Sequence, residues 1–190
     1  MGAFAYQSLL GAAQEFAGKA RTFVSGKDTA LCDFDLTIAG FRLSGRMPLY
    51  AGGLVHFRYA NLKARDCLSL WIHHLALNIL EKGNAPPSIL LSKDSAWRFR
   101  GLPTAEETMA ALLGNYWIGL QQPLKFFPLS SWEYGRAVFA DGKTREEGRK
   151  AAIKIWRGND FQTGEGENPY YRTCFGDREP TISSEPSRAG

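Results

Sequence analysis

Gly45-Arg46-Met47-Pro48 and Leu54-Val55-His56-Phe57-Arg58-Tyr59, separated by the turn signal Ala51-Gly52-Gly53, decide the fold of this chain. The short apolar-polar run from Leu54 to Tyr59 predicts a strand, and the glycines before it predict a tight reversal. Upstream, Leu31, Asp33, Asp35 and Thr37 alternate with Cys32, Phe34, Leu36 and Ile38. After a turn at Ala39-Gly40 comes Phe41-Arg42-Leu43, so 30–45 predicts two further strands. Leu9, Ala13, Phe16, Ala17, Ala20 and Val24 recur at helical spacing ahead of Gly26. Downstream, Leu68, Trp71, Ile72, Leu75 and Ile79 form a stripe in a helix over 66–82, widened by Leu70, Leu77 and Leu80, with Gly83 as its terminator. Ser88 to Leu91 and Trp97 to Phe99 predict another pair of strands. Periodicity alone therefore gives helix, three strands, helix, strands: an α/β core.

The remainder predicts a C-terminal helical extension. Three S/T-x-x-E capping boxes stand at Thr104/Glu107, Ser130/Glu133 and Thr144/Glu147. The first precedes a stripe of Met109, Leu112, Leu113, Tyr116, Trp117 and Leu120 that stops before Pro123. The second opens a short helix through Phe139. The third opens a helix with Ala151, Ala152, Ile155 and Trp156 on its apolar side. One domain is expected over 1–160. The tail 161–190, rich in Gly, Pro, Ser and charge, is expected to pack in part through Tyr170, Tyr171 and Phe175 and to be mobile beyond 177.

Composition narrows the class. A chain of 190 residues, 44% hydrophobic and 13% aromatic, has the makings of one globular core. No apolar run reaches membrane-spanning length, and the N-terminus lacks a basic-then-apolar leader. The three cysteines, Cys32, Cys67 and Cys174, show no paired spacing, which points to reduced thiols and a cytoplasmic protein. A net charge of +4 permits a phosphate-binding surface without demanding one. No P-loop is present, so nucleotide hydrolysis is not expected.

The two opening stretches resemble a degenerate site of the RecB-like branch of the PD-(D/E)xK nucleases. Those enzymes place G-x-x-D on one strand and D-x-K at the end of the next, with the carboxylates holding Mg²⁺. In this alignment Pro48 falls on the first carboxylate, His56 on the second and Arg58 on the lysine. Leu43-Ser44-Gly45, the strand end through Ala60 with Asn61-Leu62-Lys63-Ala64-Arg65, and Trp71 to Asn78 extend the likeness. So do Phe127 to Trp132, Trp156-Arg157-Gly158 and Gly164-Glu165-Gly166-Glu167. Together they resemble the C-terminal domain of RecC, the gamma subunit of exodeoxyribonuclease V. The resemblance implies a PD-(D/E)xK restriction-endonuclease-like core without catalysis. It also implies a place in a helicase–nuclease that processes double-strand breaks for recombination. RecB-like and RecD-like subunits and DNA are the implied partners. No cofactor, no metal and no membrane contact are expected. The chain is much shorter than a RecC subunit and is expected to be an excised domain or a free-standing homologue.

Two other classes remain open. A nuclease with a migrated metal site would use Asp33 and Asp35, which share a strand face, or Asp66, with Lys63 beside them. A free DNA-binding module would use Arg58, Lys63 and Arg65. Arg58 stays protonated and holds phosphate in a planar fork, so it could bind a backbone without cutting it. The last predicted helix carries Arg145, Arg149, Lys150, Lys154 and Arg157, but Glu146 and Glu147 share that side and simple amphipathicity explains it. His73 and His74 are helix neighbours about 100° apart, so they do not chelate one metal, and they are expected at the edge of a helix–sheet contact. The Gly164 to Glu167 stretch is acidic and is expected to serve packing or subunit contact rather than to cradle phosphate. Trp71 and Trp117 are assigned to the core. Trp97 and Trp132, outside the long stripes, are the candidates for partner contact.

Overall fold

Ala39 and Gly40 have φ of 49° and 82°, the left-handed pair that a two-residue hairpin turn requires. They join β1 (Thr29–Ile38) to β2 (Phe41–Tyr50), which pair antiparallel over their whole length. Phe34 lies opposite Gly45, and a Cβ at Gly45 would stand 2.8 Å from the Phe34 ring. The glycine is therefore what lets the aromatic ring lie flat across the partner strand. The computed structural model describes residues 2–24, 26, 28–51 and 53–176. The expectation of mobility beyond 177 lies outside the described residues.

The chain forms two compact units, one running to Ile118 and one starting at Gly119. The boundary expected at 160 falls inside the second. In the first, helix α1 (Gly2–Val24) leads into the β1–β2 hairpin. Tyr50 and Gly53 exchange backbone hydrogen bonds across the next turn, and β3 (Val55–Phe57) follows. Helix α2 (Ala64–Leu80) then carries the chain to β4 (Ser88–Leu91), parallel to β3, and β5 (Ala96–Phe99) returns antiparallel to β4. A parallel pair needs a crossover connection, which α2 supplies. Helix α3 (Ala105–Gln121) follows. The architecture is thus α/β with short mixed strands.

The core of this unit is Met47, Leu54, Leu70, Leu75, Leu77 and Leu90. The stripe expected on α2 holds in part. Leu70, Leu75 and Leu77 are fully buried, but Leu68 and Ile72 are 38% and 40% exposed, and Cys67, His74, Ala76 and Asn78 join the buried face. Apolar periodicity missed His74 and Asn78 because they are polar. His74, expected at the edge of the contact, has no exposed surface at all, nor have Asn78 and Ser88. They form a closed network. The Arg100 carbonyl lies 2.8 Å from His74 Nε2 and can only accept, so Nε2 carries the proton. Nδ1 then accepts from the Ser88 hydroxyl at 2.8 Å. Asn78 donates to the His74 carbonyl and accepts the Leu102 N–H, both at 2.8 Å. Burial holds the His74 imidazole below its ordinary pKa, partly offset by the Arg100 carbonyl. These bonds fix α2 against β4 and against residues 100–102. Trp117 is also corrected. It is 54% exposed and meets the Phe41 ring edge-on at 6.0 Å instead of filling a core.

In the second unit, α4 (Pro128–Gly135) runs into a π turn (Arg136–Ala140) and is followed by α5 (Arg145–Arg157). A two-residue hairpin of β6 (Gly158–Asn159) and β7 (Gln162–Thr163), a 3-10 turn (Glu165–Glu167) and α6 (Pro169–Phe175) complete it. Phe127 is the hub of an aromatic cluster, with centroids 4.6 Å from Trp156, 5.2 Å from Tyr171 and 5.7 Å from Phe175. The Thr144/Glu147 capping box is present. The Ser130/Glu133 box is not. Pro128 is already helical, which places Ser130 inside the first turn. Its role is filled from a distance: the buried Glu165 carboxylate accepts the Leu129 and Ser130 N–H groups at 2.9 and 2.7 Å. A Cβ on Gly166 would come within 2.5 Å of the Trp156 indole, and one on Gly164 within 2.3 Å of the Trp156 carbonyl. The glycines bring this backbone close enough for Glu165 to reach α4, so the acidic stretch serves packing.

Candidate functional site

Arg58 follows β3, and its N–H donates to the Leu91 carbonyl at 3.0 Å, which extends the β3–β4 ladder by one residue. Its guanidinium is carried toward the first turn of α2. There one terminal nitrogen donates to both Asp66 oxygens at 2.8 Å. Asp66 also accepts the Lys63 backbone N–H at 3.2 Å, which caps its own helix, and lies 3.9 Å from Arg65 Nε. A carboxylate in the first turn suits the helix dipole. Of the basic trio expected from the sequence, the Arg58 and Arg65 guanidinium groups therefore meet one acidic side chain, while Lys63 meets it through its backbone. Arg58 is partly exposed, and Lys63 and Arg65 are exposed.

A cavity of about 340 Å³ opens beside this pair, lined by Tyr50, His56, Arg58, Asp66, Ser69 and neighbouring apolar groups. His56, on β3, sits with its ring centroid 5.7 Å from that of His73 on α2. Burial, with the nearby His73 second, pushes the His56 imidazole below its ordinary pKa, so it is neutral near pH 7. His73 Nδ1 donates to the Ser69 carbonyl at 2.8 Å. Pro48 lies exposed on β2 opposite Leu31 and is not part of the cavity wall. Of the three positions aligned with nuclease ligands, the structure brings together two, His56 and Arg58.

The carboxylates suggested for a migrated metal site do not converge. Asp33 and Asp35 lie on the exposed face of the hairpin. Arg42 engages both oxygens of Asp35, at 2.9 and 2.6 Å, and Arg46 likewise holds both oxygens of Asp33. These arginines hold both carboxyls below their usual pKa. Asp66 is committed to Arg58. Among the described residues, no three His, Cys, Asp or Glu side chains are grouped as metal ligands would be. Each of these carboxylates has a guanidinium partner. The signal was legible in part: a hairpin turned at Ala39-Gly40 sets Arg46 directly opposite Asp33 and Arg42 diagonally across from Asp35.

Trp97 lies opposite Leu90 on the β4–β5 ladder and is half-buried; Trp132, on α4, is also half-buried. In each unit more exposed aromatics occur, Tyr116 and Trp117 in the first and Phe139 and Phe161 in the second.

Fold and site define an α/β domain in which a strand–helix junction carries an Arg–Asp pair. The chain belongs to the RecC C-terminal domain family, which matches residues 1–139. It is similar to the RecBCD enzyme subunit RecC of Escherichia coli (strain K12), 26% identical over 155 residues, which cover 75% of this chain and 14% of that subunit. It is also similar to the RecBCD enzyme subunit RecC of Buchnera aphidicola subsp. Acyrthosiphon pisum (strain APS), 25% identical over 149 residues, or 73% of this chain and 14% of the relative. The chain thus spans about one-seventh of the length of these curated relatives.

Proposed function

We propose that this chain is a non-catalytic structural and interaction domain of a RecBCD-type helicase–nuclease, built on a PD-(D/E)xK-like core and acting in double-strand break repair and recombination in the cytoplasm. The observation that carries the reading is the Arg58–Asp66 pair at the β3–α2 junction. A nuclease of this type would hold a lysine and metal-binding carboxylates there. The element order α1-β1-β2-β3-α2-β4, with β3 and β4 parallel across α2, supports the core assignment. Family membership supports the assembly. RecB-like and RecD-like subunits are the proposed partners, with Trp97 and Trp132 at contact surfaces, and strand cutting and ATP hydrolysis belong to those partners. DNA contact is assigned to Arg58, Lys63 and Arg65.

Purified protein incubated with Mg²⁺ or Mn²⁺ and labelled linear DNA is expected to leave the DNA intact. Cleavage abolished by Asp35→Ala or Asp66→Ala would overturn the non-catalytic assignment. The DNA-facing role of Arg58 has its own test. Arg58→Ala is expected to weaken DNA binding and to reduce the slope of log affinity against log salt by about 0.9, one phosphate contact. Asp66→Asn, which releases the Arg58 guanidinium from its counter-charge, is expected to strengthen binding at low salt. Equal affinities for the wild type and both variants would remove Arg58 from the interface.

A further inference from the structure

A second cleft, of about 350 Å³, lies in the first unit between α1 and the β4–β5 turn. That size is at the low end of the range for small-ligand sites, roughly 300–1,000 Å³. Its floor is Tyr59, 40% exposed, held by the Phe16 ring at 5.3 Å. The Lys93 ammonium stands 5.5 Å from the Tyr59 centroid. The carboxylates on the rim are already engaged. Glu15 pairs with Lys19 at 2.8 Å. Asp94 accepts the Leu62 N–H at 2.9 Å and the Ser92 hydroxyl at 2.8 Å. Lys93, by contrast, has no carboxylate partner among the described residues, and its side chain is exposed on a turn.

We propose that this cleft binds one nucleotide of single-stranded DNA, with the base stacked on Tyr59 and the phosphate held by Lys93. The proposal deepens the DNA-facing part of the function above and rests on it. An aromatic face beside an uncommitted ammonium matches the two halves of a nucleotide, a flat π-system and an anion. An exposed cation–π contact is weaker than stacking of a base on an aromatic ring. An incoming base therefore displaces the Lys93 ammonium from the ring at a net gain, and the flexible side chain turns to the phosphate. No base-specific donor or acceptor is needed, so the site tolerates any sequence. Lys19, on the opposite wall, is held by Glu15 and adds little net charge.

The test uses the full chain and a fluorescein-labelled oligothymidylate of about eight nucleotides, within the site size of such platforms, followed by anisotropy at low salt. Tyr59→Ala is expected to lose affinity by about tenfold, while Tyr59→Phe binds as the wild type does. Lys93→Ala is expected to lower the salt slope by about 0.7, one single-strand phosphate. An oligonucleotide carrying 5-iododeoxyuridine is expected to cross-link at Tyr59 on irradiation. If Tyr59→Ala fails to fold because Phe16 loses its partner, Lys93→Glu on the exposed turn carries the test and is expected to abolish the same binding. Undiminished affinity in Lys93→Glu, cross-links confined to other residues, or competition by inorganic phosphate as effective as by thymidine monophosphate would each overturn the proposal. So would tighter binding of a Tyr-containing acidic peptide in the same cleft. Affinity that responds to Arg58→Ala but not to the Tyr59 and Lys93 variants refutes this cleft and leaves the role of Arg58 standing; the reverse pattern removes Arg58 and retains the cleft.

Discussion

Asn78→Ala is expected to destabilise the first unit by about 2–4 kcal/mol. The Asn78 side chain has no exposed surface, and its Oδ1 is the acceptor for the Leu102 N–H. Truncation leaves that part-buried N–H without its acceptor, which costs about 1 kcal/mol or more. It also leaves a vacancy that close-packed neighbours fill only in part. Asn78→Asp should be worse than the isosteric change suggests. It keeps the acceptor but buries a charge and removes the donor to the His74 carbonyl. Hydrogen exchange at the Leu102 amide, followed together with the urea midpoint, checks this. Wild-type protection at Leu102 in Asn78→Ala would show that the network does not hold residues 100–102 to α2.

Two imidazoles, one of them in this network, set a pH dependence. His74 and His56 both titrate below their ordinary value of 6.5 in the folded chain. The unfolded chain therefore takes up protons first as the pH falls. The stability tied to these neutral imidazoles is fully present above about pH 6.5 and declines below it, toward their folded pKa values. Asp33 and Asp35, with lowered pKa, act in the same sense only as the pH approaches their ordinary 3.8 and below. A urea midpoint that falls between pH 7.5 and 5.5 is the expected result. A flat midpoint over that window would contradict burial of His74 as the neutral base.

Glu165→Ala is expected to destabilise the second unit by about 2–4 kcal/mol. The carboxylate is 9% exposed and accepts two N–H groups of the first turn of α4. These are charge-assisted bonds at the positive end of a helix dipole, the strongest setting for a cap. Removing them orphans both donors. Glu165→Gln keeps one acceptor oxygen and should fall between the wild type and Glu165→Ala. Amide exchange at Leu129 and Ser130 is expected to accelerate in that order. The order separates loss of the cap from a general loosening, which would raise exchange throughout the unit alike.

Local signals carried much of the first unit. The β1–β2 hairpin was legible because strand alternation repeats every second residue and Ala39-Gly40 marks the reversal. The helix after Arg58 was legible because an apolar run at helical spacing extends to Leu80, three residues short of Gly83. The polar part of the inward face of α2 was not, because His74 and Asn78 read as polar until a serine on β4 and the backbone of 100–102 satisfy them. The Ser130 cap misled for a related reason. A capping box is a local pattern, and Pro128 started the helix earlier while a glutamate thirty-five residues downstream took the cap. In the candidate site, Arg58 could be singled out from its place at the end of an apolar strand, but its commitment to Asp66 could not.

The sequence by itself determined the order of elements in the first unit and the hairpin, since each follows from residue type and spacing along the chain. Only the tertiary structure decided which charges meet. Arg42 and Arg46 reach Asp35 and Asp33 through strand register, Arg58 reaches Asp66 across the β3–α2 junction, and Tyr59 meets Phe16 and Lys93 from separate elements. Coulomb and hydrogen-bond energies depend on distances of a few ångströms, and those are fixed by packing between residues far apart in the chain.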